Sequence, residues 1–116
     1  MANYGLFIGW NRSIPGKEHM ALELFQSAVG YWTKQRDAGN IESFEPIILT
    51  PHGTMLNGCI VVRGERQRVD NARWSEEFMD ILTRVGLCVD GLSVVPCYIG
   101  EGVQMQLNRV KKHLTK

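Results

Sequence analysis

Between Ile41 and Arg63 the chain carries two apolar runs that demand cover on both of their sides, and few small folds can meet that demand. Ile41-Glu-Ser-Phe-Glu-Pro-Ile-Ile-Leu-Thr50 reads as one strand, Pro51-His-Gly-Thr54 as a turn and Met55-Leu-Asn-Gly-Cys-Ile-Val-Val-Arg63 as the return. A four-residue turn sets Thr50 opposite Met55 and Glu42 opposite Arg63. Side chains alternate along strands, so Glu42, Phe44, Ile48, Asn57, Cys59, Val61 and Arg63 are expected on one face. Ile41, Ile47, Leu49, Leu56, Ile60 and Val62 take the other. Both faces are apolar, and an antiparallel hairpin with two such faces needs something packed on each.

The remaining elements follow from periodicity. Tyr4 to Trp10 alternates as a first strand, with Gly5 and Gly9 marking close approach of another backbone. From Lys17 to Asp37, Ala21, Leu24, Phe25, Ala28, Tyr31 and Trp32 recur at helical spacing, and Gly39-Asn40 ends the helix. Glu65 to Arg73 is charged and weakly periodic, a short irregular helix. Ser75 is an N-cap with Glu76 and Glu77 in the first turn, and Trp74, Phe78, Ile81, Leu82 and Val85 form the buried stripe of a second main helix ending at Gly86. Leu92 to Tyr98 is the fourth strand, with a small hairpin at Asp90-Gly91 as the alternative. After Gly100-Glu-Gly102, the residues Val103, Leu107, Val110 and Leu114 indicate a terminal helix.

Strand, helix, strand, strand, helix, strand and a closing helix, joined by right-handed crossovers, give an α+β, ferredoxin-like βαββαβ unit with a four-stranded antiparallel sheet. The first and third strands then lie in the middle. Pro46 and Pro96 fall in the two edge strands, where a missing ladder donor does least harm. Both main helices cover one face, leaving hydrophobic side chains on the other. The simplest cover is a second copy of the sheet, so a homodimer is expected; a monomer lidded by its own terminal helix is the competing arrangement.

At 116 residues the chain is one domain, 1–116, with 44% hydrophobic and 22% charged residues. A net charge of +1 gives no field for nucleic acid or anionic lipid, and no apolar run approaches the ~20 residues of a membrane helix. Leu6-Phe-Ile-Gly9 looks like the first-strand motif of RNA-recognition domains, but Cys59-Ile-Val-Val62 lacks the stacking aromatics those domains carry on the third strand, so no nucleic acid is expected. Cys59, Cys88 and Cys97 lack C-x-x-C spacing and read as reduced, buried thiols; with no signal-peptide profile in Met1 to Tyr4, a cytoplasmic location is expected.

The runs Gly39-Asn-Ile-Glu-Ser-Phe-Glu-Pro46, Pro51-His-Gly53, Asn57-Gly58 and Gly100-Glu-Gly-Val103 resemble a small family of uncharacterised bacterial proteins in the dimeric α+β barrel superfamily. The resemblance spans most of the chain and implies a ferredoxin-like protomer that dimerises sheet to sheet. That superfamily includes cofactor-free monooxygenases, haem-degrading enzymes, small-lactone isomerases and proteins with no assigned activity, so the resemblance transfers no reaction and no catalytic residue.

Candidate site residues come from residue chemistry alone. His52 in Pro-His-Gly is a loop histidine able to act as a base near neutral pH, or a solvated turn residue. Glu42 and Arg63 are expected as a cross-strand ion pair with Asn57 and Cys59 beyond them; together they line a pocket, or they form an edge pair worth under about 1 kcal/mol. Trp10, Tyr98 and Trp74 frame a flat ligand or belong to the core. His19 and Glu23 stand one helical turn apart without a third ligand, so neither metal nor cofactor is expected. Two functions remain open. One is a dimer that binds a small, partly apolar molecule between sheet and helices through Trp10, Glu42, His52, Asn57, Arg63 and Tyr98. The other is a cofactor-independent enzyme, monooxygenase-like or isomerase-like, with His52 or Glu42 as proton acceptor.

Overall fold

In the computed structural model, β1 (Tyr4–Trp10) lies between β3 (Gly58–Gly64) and β4 (Ser93–Tyr98), and β2 (Ser43–Ile48) pairs with the outer side of β3. All three pairings are antiparallel, giving the order β2-β3-β1-β4 of a ferredoxin-like fold. The structure describes residues 2–53 and 55–114. Met1, at the head of the N-terminal stretch, and Thr54, in the expected turn, lie outside it. Pro46 and Pro96 sit in the two edge strands, as their missing N–H groups require.

Helix α1 (Glu18–Asp37) buries Leu24, Ala28, Tyr31 and Trp32, a stripe at spacings of four, three and one. Gly39, at φ +80°, takes the left-handed conformation that lets the chain leave the helix toward β2. A short helix α2 (Arg66–Arg73) is capped by the Glu65 carboxylate, which accepts the N–H groups of Gln67 and Arg68. Helix α3 (Glu76–Gly86) starts at Ser75, whose Oγ accepts the Phe78 N–H at 3.1 Å. Tyr31, Trp32 and Phe78 interlock with ring centroids 4.9 to 5.2 Å apart. Burying Trp32 and Phe78 completely contributes on the order of 2–3 kcal/mol each and ties α1 to α3.

Two expectations need correction, and one alternative is not taken up. The β2–β3 register is one residue away from the expected one: Ser43, not Glu42, faces Arg63, and Ile48 faces Gly58. A slip of one exchanges the faces. Phe44, Pro46 and Ile48 therefore share the helix side with Ile60 and Val62, while Glu45 and Ile47 join Cys59, Val61 and Arg63 on the opposite side. The cause is a longer loop. Leu49 N–H reaches the Asn57 carbonyl as the last rung, and Asn57 N–H is taken by the Trp10 carbonyl on the far side of β3.

Trp74 lies outside the buried stripe of α3. It ends α2, is 63% exposed, and has the Arg73 guanidinium 4.0 Å from its ring centre. The Asp90-Gly91 hairpin does not form either. Val89 bridges Ser13, and Asp90 exchanges backbone hydrogen bonds with Asn11 and Arg12, so this segment closes against the start of the β1–α1 connection.

The helices cover one side of the sheet, where Leu6, Ile8, Ile60 and Val62 are each at most 5% exposed. The other side carries Phe7, Ile47, Val61, Val95 and Cys97, half-buried or exposed, with Cys59 deeper between them. Helix α4 (Glu101–His113) does not lid that side: Val103, Leu107, Val110 and Leu114 stand 46 to 69% exposed.

Candidate functional site

A cavity of about 430 Å³ opens between the helix side of the sheet and helices α1 and α3. Ile8 and Ile60 form its floor, Phe25 and Ala28 one wall, Ile81 and Val85 the other. Leu22 and Ile48 line it while 56% and 67% exposed, so they mark its mouth. The polar groups it contains come from the chain segments just beyond β1 and α3: Asn11, Ser13 and the Cys88 thiol.

Trp10 is the sequence-selected residue that lines this cavity. Its indole meets Phe25 edge to face, centroids 5.7 Å apart. Gly58 makes room for it, because a Cβ there would lie 2.7 Å from the indole and 3.0 Å from the Ile47 carbonyl oxygen. Asn57 stands behind the polar end. Its Nδ2 donates to Asn11 Oδ1 at 2.9 Å, and its backbone N–H donates to the Trp10 carbonyl. Asn57 therefore fixes the amide that faces the cavity rather than lining it.

The other candidates lie elsewhere. Glu42 and Tyr98 meet at a second hollow of about 540 Å³ at the opposite end of the sheet, with Tyr4, Arg66 and Arg109 around it. Arg63 is on the uncovered side, where its Nη1 is 3.4 Å from Glu45 Oε1; this replaces the expected Glu42 pairing and follows from the register. His52 is exposed on the 49–57 loop, its Nδ1–H donating to the Thr50 carbonyl at 2.7 Å. The structure thus brings Trp10 and Asn57 to one site and Glu42 and Tyr98 to another.

Cys88 is the titratable side chain among the cavity-lining residues. It is fully buried, and burial pushes its thiol pKa up, keeping it protonated and a weak nucleophile. Cys59 and Cys97 are raised by burial in the same way. The cavity as it stands can hold an apolar body and offer an amide and a hydroxyl to one polar end of it, with the fully buried Cys88 packed into its wall. Asn11, Ser13 and Cys88 had no signal in the sequence beyond being polar or small next to element ends; the Ser13–Val89 bridge brings them together. His19 is exposed on α1, and among the described residues no three His, Cys, Asp or Glu side chains gather to hold an ion. No helix among them is long and apolar enough to cross a membrane.

This sheet order, with helices on one face and a cavity beneath them, defines the class: a ferredoxin-like α+β protein. No family model and no curated protein matches the sequence. Solved structures do. One is a dimeric protein of unknown function and ferredoxin-like fold from Bacteroides fragilis, at TM-score 0.58 and 12% identity, covering 83% of this chain and 96% of that one. A cofactor-independent oxygenase from Streptomyces nogalater superposes at TM-score 0.55 and 9% identity, covering 85% and 93%. A hydroxynitrile lyase from Passiflora edulis does so at 0.61 and 9%, covering 87% and 97%. At such identities the likeness establishes the fold.

Proposed function

We propose that this protein is a homodimer that binds a small, largely apolar molecule in the cavity between sheet and helices. The observation that carries the reading is the cavity itself: about 430 Å³, walled by aliphatic and aromatic side chains, with Asn11, Ser13 and Cys88 as its polar groups. Small-molecule sites have this composition, an apolar body with a few placed polar groups. The dimer is supported by the apolar, uncovered side of the sheet and by the dimeric neighbour from Bacteroides fragilis. Three free thiols suit a reducing compartment, and we place the protein in the cytoplasm.

Titration with 1-anilinonaphthalene-8-sulfonate, followed by quenching of tryptophan emission, tests the cavity. Ala28→Phe fills the space beside Ile8 and should weaken binding at least about tenfold, worth about 1.4 kcal/mol. Unchanged affinity in a folded Ala28→Phe variant refutes the site.

A second reading is a cofactor-independent enzyme acting on the same molecule, favoured by the oxygenase and lyase among the structural neighbours. His52 and Glu42 were its candidate proton acceptors. Both lie outside the cavity lining, so on this reading His52 acts only if the 49–57 loop carries it to the mouth. Glu42 belongs to the far hollow. Substituting each by alanine separates the readings: the binding function is indifferent to both changes, whereas catalysis through either is abolished.

A further inference from the structure

Beyond its first turn, helix α4 is an arm without a packed seat among the described residues of its own chain. Its N-terminal turn is fastened at the sheet edge, where Gly102 packs against the Asn3 carbonyl and Ile99 N–H donates to the same oxygen. Met105, Gln106 and Arg109 border the second hollow. Val103, Leu107, Val110 and Leu114 project about a third of a turn away from those residues, and each is at least 46% exposed. Their spacing of four, three and four is the a/d repeat with which a helix meets another packed surface. A helix of 13 residues is marginal in water without such a surface.

The whole chain shows the same thing in its dimensions. Its radius of gyration is 15.8 Å and its longest extent 54 Å; a compact chain of this length would have a radius of about 13 Å.

We infer that α4 is a dimer arm whose Val103-Leu107-Val110-Leu114 seam packs on a second copy of this chain. The inference rests on the homodimer proposed above and names a further part of its interface. Two observations select a second copy as the occupant. First, the seam follows directly on the uncovered sheet side along the chain: β4 carries Val95 and Cys97 onto that side, Ile99 reaches over Gly5, and α4 begins two residues later. Second, four strands at about 4.8 Å spacing and about 20 Å length give the sheet side a plan area of only ~400 Å², so a seam that runs on past its edge adds materially to the surface a second copy can cover. The arm, about 20 Å long, extends that surface in the direction the sheet lacks.

Sedimentation velocity over a dilution series, with hydrogen exchange of the α4 amides, tests the arm. Three full-length proteins are compared: wild type, Leu107→Glu on the seam, and Val61→Glu on the sheet side. The expected result is a wild-type dimer with slowly exchanging α4 amides. Leu107→Glu should dimerise at least tenfold more weakly with unchanged circular dichroism at the sheet wavelengths, and Val61→Glu should be monomeric with fast exchange along α4. If Leu107→Glu dimerises like wild type while Val61→Glu does not, the sheet interface stands and the arm is refuted. Slow α4 exchange in the Val61→Glu monomer also refutes it, because the seam then has a partner within its own chain. Fast α4 exchange in a wild-type dimer refutes it as well, leaving the seam open for a different protein. A monomeric wild type removes both the arm and the interface it extends.

Discussion

Tyr31 links three elements through one hydroxyl. Its O–H donates to the Ala72 carbonyl at 2.6 Å, so at 2.7 Å from Ser75 Oγ it must accept the serine proton, while the same Oγ accepts the Phe78 N–H. Tyr31→Phe removes the shorter donor to the Ala72 carbonyl, leaving it the longer Ser75 N–H bond at 3.4 Å, and loosens the cap of α3. Urea unfolding should show a loss of about 1–3 kcal/mol. Tyr4 gives a pH test. Its phenol is 8% exposed and donates to Asp70 Oδ1 at 2.8 Å; burial first, and that hydrogen bond second, push its pKa up to about 12. A phenol that ionises later in the folded chain than in the unfolded one favours folding while protonated. Its contribution is therefore whole below about pH 10 and is lost as the pH rises toward about 12. The cysteines shift in the same direction, but they are common to wild type and Tyr4→Phe, so the difference between the two unfolding curves isolates Tyr4. Tyr4→Phe should lose less stability than wild type between about pH 10 and about pH 12. Gly58→Ala should displace the Trp10 indole and lower stability, read as a shift in tryptophan emission together with a reduced unfolding midpoint.

At the level of elements, what the sequence states locally is what it states correctly. β1 runs from Tyr4 to Trp10 as its alternation requires, Ser75 caps α3, and both edge strands carry their proline. The irregular stretch after Arg63 is a true helix because Glu65 caps it, a signal present in the sequence but masked by the surrounding charge. The β2–β3 register was not legible, since Asn57 is held by Trp10 and Asn11 from outside the hairpin, and those bonds lengthen the loop. The cavity was hidden for a related reason. Asn11, Ser13 and Cys88 are far apart in sequence and meet only because Val89 bridges Ser13. Trp10 alone was legible as a lining residue. Trp74 misled because it immediately precedes the cap of α3, where a side chain points away from the helix stripe. The uncovered side yields a prediction at this scale. Val61→Glu places a charge at its centre and should abolish dimerisation while leaving the unfolding midpoint of the monomer near that of diluted wild type, measured by sedimentation and circular dichroism.

As a whole, the chain has two apolar surfaces of different kinds and treats them differently. The helix side is closed into a core by Trp32, Phe78 and Leu24, with one cavity left beside Trp10. The outer side is left open, and the closing helix points its seam away from its own body. A second copy and a small ligand account for these two features together. Native mass spectrometry of freshly purified protein tests this most directly, since one spectrum reports subunit number and retained ligand. The account predicts a species at twice 13.1 kDa carrying a small additional mass that is shed on denaturation; a bare species at 13.1 kDa, persisting at micromolar concentration, would contradict it.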